Sequence, residues 1–306
     1  REFATLQRRQ KAYDAAERLI REAIALDSQL VGMEHPNIGE DFYEYASLLG
    51  DMGRFEDATR VYEQTLAVDL ATLGPDHPYV ALTLGELGRT RERAGDPAGA
   101  AAYYRRALAL QRRALPPDHP EIATMLSKLG SALIKTDALA EAERTIREGL
   151  AIRRASLDEN HHAVLSDRSG LAALLIRTGR HDEAIATHRD ILERRRRTLG
   201  DDSPSTARTY YNLAAALRVK GDEASLAEAR SVAEEALTRY RAVFPPGSPE
   251  VAYALREKAD VLRASGELAA AAQAYREALG LFRDAFGPDH PASEATARAL
   301  DGVATR

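Results

Sequence analysis

The sequence predicts an all-α chain built as a linear array of antiparallel helix pairs, and three observations carry that prediction. Residues 74–78 and 287–291 both read GPDHP, and residues 116–120 read PPDHP; a segment that returns at fixed spacing marks a repeat architecture. The His or Ser in this motif falls at His35, His77, His119, His161, Ser203, Ser248 and His290, with successive separations of 42, 42, 42, 42, 45 and 42 residues. Within each repeat, apolar and small residues recur at helical spacing in two segments, with a residue suited to a tight turn between them.

The first segment of each repeat, helix A, carries Leu87, Leu129, Leu171 and Leu213 at one register position, with Tyr45 in the first unit. Its start is marked by proline at 36, 78, 120, 204, 249 and 291. Proline suits the first helical position because the N–H it lacks has no intrahelical partner there. The residue before it is the N-cap; Ser203 and Ser248 stand there in two units, and serine is among the best acceptors for the orphan amides of a first turn. His35, His77, His119 and His290 are therefore read as capping residues, since copies one repeat apart cannot converge on a single ion.

The turn after helix A holds Gly53, Gly95, Gly179, Gly221 or Gly266, the residue that most easily takes positive φ. Helix B follows, with Ala58, Ala100, Ala142, Ala184, Ala229 and Ala271 equivalent and, eight residues on, Leu66, Leu108, Leu150, Leu192, Leu237 and Leu279. A turn this short makes the two helices antiparallel neighbours. Asp137 stands where the turn glycine belongs, Lys258 on the helix A leucine position and His188 on the helix B aromatic position. Local irregularity is expected in the fourth and sixth units. The three extra residues of the fifth unit, around Asp222 to Glu228, read as a loop insertion.

The register gives one array over 1–306: a partial unit 1–31, full units 32–73, 74–115, 116–157, 158–199, 200–244 and 245–286, and a partial unit 287–306. Tyr13, Ala16, Ile20 and Ala23 fit a helix B whose helix A survives only as residues 1–10. With incomplete units at both ends and no initiating Met, the sequence reads as the repeat region of a larger protein.

Composition narrows the function. A chain of 306 residues that is 44% hydrophobic and 29% charged is neither disordered, collagen-like nor membrane-embedded. A net charge of −5 disfavours nucleic acid and anionic membranes as partners. The absence of cysteine removes disulfides, a thiol nucleophile and thiolate metal sites, which makes the cytoplasm the default compartment. There is no Gly-rich phosphate loop, HExxH or Gly-x-Ser-x-Gly, so no catalytic, cofactor-binding or metal site is expected. His188-Arg189-Asp190 imitates a kinase catalytic-loop fragment, but Arg194 stands where that motif needs asparagine. The run Arg194 to Arg197 reads as cations ending a helix and facing water, and the adjacent His161 and His162 point apart.

The residues that describe the repeat carry a family resemblance. Small residues at the helix crossing (Gly88, Gly130, Ala172, Ala214, Ala259), a turn glycine, and then Ala100, Tyr104 and Ala107, or Ala271, Tyr275 and Ala278, resemble the tetratricopeptide repeat. The 42-residue period resembles its kinesin-light-chain subtype. The resemblance implies a right-handed α-solenoid, a superhelix whose concave wall is lined by A helices and binds protein ligands without catalysis. It also implies a helix A asparagine holding the ligand backbone, and only Asn212 matches that position.

On the helix A face away from the leucines, a stripe at i, i+4, i+7 and i+11 sorts by charge. Its middle carries six cations, Arg89, Arg93, Lys128, Lys135, Arg177 and Arg208, and one anion, Glu86. Its ends carry Glu40, Glu44 and Asp51 in unit one and Glu257 and Asp260 in unit six. Serine, glycine and alanine between the cations leave room for a peptide. The expectation is a scaffold that binds an acidic peptide or helix through Arg89, Arg93, Lys128, Lys135, Arg177, Arg208 and Asn212. The alternative is a regulatory domain of a multidomain signalling enzyme, a kinase, nucleotide switch or protease, with this groove occupied in cis. Nucleic-acid binding is disfavoured because Tyr211 is nearly alone as a stacking aromatic near the stripe.

Overall fold

The computed structural model describes residues 12–32 and 35–304. The expected partial helix over residues 1–10, with Phe3, lies outside the described residues. Two compact units divide the chain between Leu157 and Asp158, and each is described by itself. The first holds α1 (Tyr13–Val31), α2 (Pro36–Asp51), α3 (Phe55–Thr72), α4 (Pro78–Arg93), α5 (Pro97–Ala114), α6 (Pro120–Lys135) and α7 (Leu139–Ser156). The second holds α8 (His162–Arg177), α9 (His181–Leu199), α10 (Pro204–Lys220), α11 (Glu223–Val243), α12 (Pro249–Ala264), α13 (Leu268–Phe286) and α14 (Pro291–Ala304). Within each unit every helix packs on its sequence neighbours, so the even-numbered A helices alternate with odd-numbered B helices.

Each A helix starts as its sequence requires. The Nδ1 atoms of His35, His77, His119, His161 and His290 accept from the amides of Asn37, Tyr79, Glu121, Ala163 and Ala292, each at 3.2 Å. Ser203 Oγ accepts from the Thr206 amide at 3.1 Å and Ser248 Oγ from the Val251 amide at 3.4 Å. Periodic histidine is thus a cap, with the bare Nδ1 lone pair doing what a serine oxygen does elsewhere. Replacing His119 by Ala is expected to cost about 1 kcal/mol in a urea melt, and replacing it by Ser to leave stability nearly unchanged.

The A-to-B turns pass through a left-handed residue. Gly95 has φ +80°, and Asp137 takes the same role at φ 62°. Aspartate tolerates this region better than most side-chain-bearing residues, so the third hairpin closes like the others. The fifth unit corrects the loop expectation. Its turn is short, with Gly221 left-handed and the Asp222 carboxylate capping the Ser225 amide at 2.8 Å. The added residues enter helix α11, which has 21 residues where α3, α5 and α7 have 18. Three residues are nearly one helical turn, so helix B lengthens at its N-terminus without rotating its buried face out of register.

Packing follows the register. All six helix B alanines are 0% exposed. Gly88 and Gly130 let the helices approach until an added Cβ would lie 2.5 Å from the Tyr104 ring or from Ile146 Cγ1. Leu66, Leu108, Leu150, Leu237 and Leu279 are buried, whereas Leu192 is only half-buried. The irregularity expected in the fourth and sixth units is absent: α8, α9, α12 and α13 are unbroken. Lys258 carries its ammonium outward to Glu234 at 2.7 Å while its stem covers the surface. His188 is instead enclosed among the core side chains, 1% exposed, and its Nδ1 is buried without a hydrogen-bond partner.

Candidate functional site

In the first unit, α2 and α4 form the walls of a cavity of about 390 Å³ and α3 its floor. Tyr43, Glu40 and Glu44 of α2 face Tyr79 and Leu82 of α4, and Asp69 closes the bottom. Glu40, Glu44 and Leu82 are stripe positions of the sequence register, so the A-helix stripe does border a concavity in this unit. Tyr79 and Leu82 are half-exposed, while Asp69 is buried and accepts from Thr83 Oγ1 at 2.9 Å. Burial raises the Asp69 pKa, against the lowering effect of the Thr83 hydroxyl.

The first unit also holds Arg89, Arg93, Lys128 and Lys135. Arg89 is tied to Glu86 one turn earlier on α4. Arg93 is exposed, with its guanidinium 4.9 Å from the centre of the Phe55 ring. Lys135 reaches from α6 to Glu92 of α4 at 2.6 Å. Lys128 is half-buried on α6, with no carboxylate in ion-pair reach among the described residues. Two of the four cations are therefore already matched by acids of α4, Glu86 and Glu92, and Glu92 lies off the stripe.

The second unit holds Arg177, Arg208 and Asn212. Arg177 is exposed in the last turn of α8. Arg208 is exposed on α10 and has no ion pair among the described residues. Asn212 donates through Nδ2 to Ser169 Oγ of α8 at 3.2 Å, linking two A helices. The stripe needs one correction here. Glu257, expected as an exposed acid, is 5% exposed and bound by Arg218 Nε of α10 at 2.7 Å. Burial raises the Glu257 pKa even against Arg218.

A second correction concerns the arginine run. Arg194, Arg196 and Arg197 pair with Asp190, Asp201 and Glu193 at the surface. Arg195 does not face water: it is 3% exposed, and its Nη1 donates to the Ser205 carbonyl at 3.0 Å and to Thr209 Oγ1 at 2.8 Å. Burial and the nearby charge of Arg208 push its pKa down to about 10.

Arg195 belongs to a helix B register position that lies outside the A-helix stripe. Three residues after each helix B leucine stand Asp69, Gln111, Arg153, Arg195, Tyr240 and Phe282. All but Arg153 are buried, and Arg153 is half-buried with Thr124 and Ser127 in reach of its Nη2. The signal was available, because i+3 from a core leucine lies on the same helix face, and polar residues on that face need partners from the neighbouring A helix. Among the described residues no group of three or more His, Asp or Glu could hold a metal ion, and no helix is long and apolar enough to cross a membrane.

Comparison with known proteins agrees with this architecture. No curated protein matches the sequence. A crystallised kinesin-light-chain-type protein of Podosopora anserina, with nearly identical TPR-like repeats, is 23% identical, with a TM-score of 0.59 over 67% of this chain and 96% of its own. BtubC (BKLC) from P. vanneervenii is 18% identical, with a TM-score of 0.56 over 78% of this chain and 92% of its own. The apo form of RapI is 12% identical, with a TM-score of 0.67 over 92% and 95%. At these identities the likeness concerns the fold. Family models described as tetratricopeptide repeat match residues 40–113 and 164–242, and residues 86–156 and 225–289. Such repeats serve in general as protein-interaction scaffolds. The helix-pair period, the turn and cap chemistry and these matches together place the chain in the tetratricopeptide repeat family.

Proposed function

We propose that this chain is a non-catalytic scaffold that holds an acidic, extended or helical protein segment against the exposed face of its A helices. The observation that carries this reading is the pair of stripe cations without internal partners, Lys128 on α6 and Arg208 on α10. A cation already matched within the chain must surrender its partner to a ligand, whereas an unmatched one offers its full field. Ser131 beside Lys128 and Ala215 beyond Arg208 keep the surroundings low enough for a peptide to approach. Arg93 in the first unit and Arg177 in the second add positive charge in this reading, Arg89 and Lys135 would have to release Glu86 and Glu92 to a ligand, and Asn212 is assigned to a peptide backbone in exchange for its bond to Ser169.

A fluorescent glutamate-rich peptide tests the reading by anisotropy. Binding should weaken as ionic strength rises from ~0.02 to ~0.15 M, where the Debye length shrinks to about 8 Å. The double variant Lys128→Glu and Arg208→Glu should lose affinity on the order of tenfold, because each reversal exchanges a modest attraction for a repulsion of similar size. Equal binding by the variant and the wild type at both salt levels would exclude this face as the site.

A further inference from the structure

The geometry points to an anion subsite in the second unit, floored by Arg195 of α9 and edged by Arg208 of α10, that takes a carboxylate side chain of the bound segment. This rests on the acidic-segment reading above and names its anchoring contact.

Arg195 carries the argument. It is 3% exposed, and among the described residues its hydrogen-bond partners are two neutral oxygens, the Ser205 carbonyl and the Thr209 hydroxyl. No carboxylate pairs with it among the described residues. A guanidinium withdrawn from water without a counter-charge is among the costliest groups a fold can bury. Arg208 compounds the cost: it adjoins Thr209, which holds Arg195, and its like charge acts on Arg195. One anion bound between them would relieve both terms, and the fork of N–H donors on arginine suits the two oxygens of a carboxylate.

The register aligns this place with a cavity of the first unit. Arg195 and Arg208 lie 126 residues, three repeats, after Asp69 and Leu82. Asp69 and Leu82 are the floor and wall of the 390 Å³ cavity in the first unit. The same shift replaces the acidic wall positions Glu40 and Glu44 with Ser166 and Gly170 of α8. A Cβ built on Gly170 would meet nothing within 4 Å. At these register positions the first unit carries acids, and the second carries arginine together with the small, neutral Ser166 and Gly170. That reversal selects an anion at this repeat.

Anisotropy with fluorescein-labelled hexaglutamate at ~0.02 M ionic strength, and with hexaglutamine as the neutral control, tests the subsite. The proteins are the whole chain as wild type, Arg195→Met, Arg208→Ser and, in the other unit, Lys128→Glu. Arg195→Met keeps the aliphatic stem and removes the buried charge, so its Tm should hold or rise, while its affinity for hexaglutamate should fall on the order of 30-fold. Arg208→Ser should show a smaller loss. If the wild type binds and Arg195→Met binds equally well, the subsite is overturned while the acidic-segment reading stands. If the wild type binds hexaglutamate no better than hexaglutamine, that reading falls and the subsite with it. Should Arg195→Met also lose thermal stability, Arg195→Lys, which keeps the cation, decides: restored binding supports the subsite, and binding still lost in a folded protein overturns it.

Discussion

Replacing Leu150 by Ala should destabilise the first unit by about 2–5 kcal/mol, the combined cost of lost transfer free energy and the cavity left behind. Leu150 is 5% exposed on α7, one residue after Gly149, whose Cα approaches Leu126 of α6 closely enough that a Cβ would sit 3.1 Å from the Leu126 Cβ. Such close packing leaves little scope for collapse around a truncated side chain. Urea denaturation at neutral pH measures the effect as a lower midpoint at unchanged slope. Leu192 is the internal comparison. It occupies the same register position but is half-buried, so Leu192→Ala should cost less than Leu150→Ala. Equal losses would show that the leucine register does not set the packing.

The other large effect is a pH dependence set by His188. Burial, with the Arg195 charge as a lesser cause, pushes its pKa down to about 4. The unfolded chain binds a proton on this imidazole near the ordinary value of about 6.5. Between these values the unfolded state holds more protons than the native state, so stability falls as pH falls. The loss starts near pH 6.5 and is complete below about pH 4, where it reaches about 3 kcal/mol, since each pKa unit corresponds to about 1.4 kcal/mol. His188→Tyr places there the side chain that Tyr62, Tyr104 and Tyr275 supply in other repeats. Its stability curve should be flatter than the wild type's across this window. Carboxylates contribute to both curves alike, so the difference between them isolates His188. Parallel curves would mean that His188 is protonated equally in both states.

The fold could be read from the sequence wherever one residue type had one job. Proline after histidine or serine marked every A helix start but that of α8, where His162 follows the capping His161, because few other positions tolerate a missing N–H, and the alanines at the crossings announced close approach. The readings that failed concern residues whose environment depends on a neighbouring helix. Arg195 looked like one more cation in a solvated run, yet its position three residues after Leu192 turns it onto the face that meets α10. Glu257 lay on the exposed stripe by spacing alone, and only the reach of Arg218 from α10 shows why a carboxylate can be buried there. Insertions usually enter loops, but three residues match a helical turn closely enough for α11 to absorb them. Cross-helix pairing likewise decides which site cations are unmatched: Lys135 and Lys128 are the same residue type on the same stripe of α6, and only Lys135 has Glu92 beside it.

The central claim is that the A-helix face, with its unmatched cations, is where an acidic segment binds. Titrating hexaglutamate into isotopically labelled protein and following backbone amide shifts by NMR tests it most directly. The account predicts shifts concentrated on α6 around Lys128 and on α10 around Arg208, with Arg195 the B-helix residue most affected, and weaker shifts as salt rises. Shifts confined to the outer surfaces of the B helices, or spread evenly over exposed arginines such as Arg105 and Arg241, would contradict it.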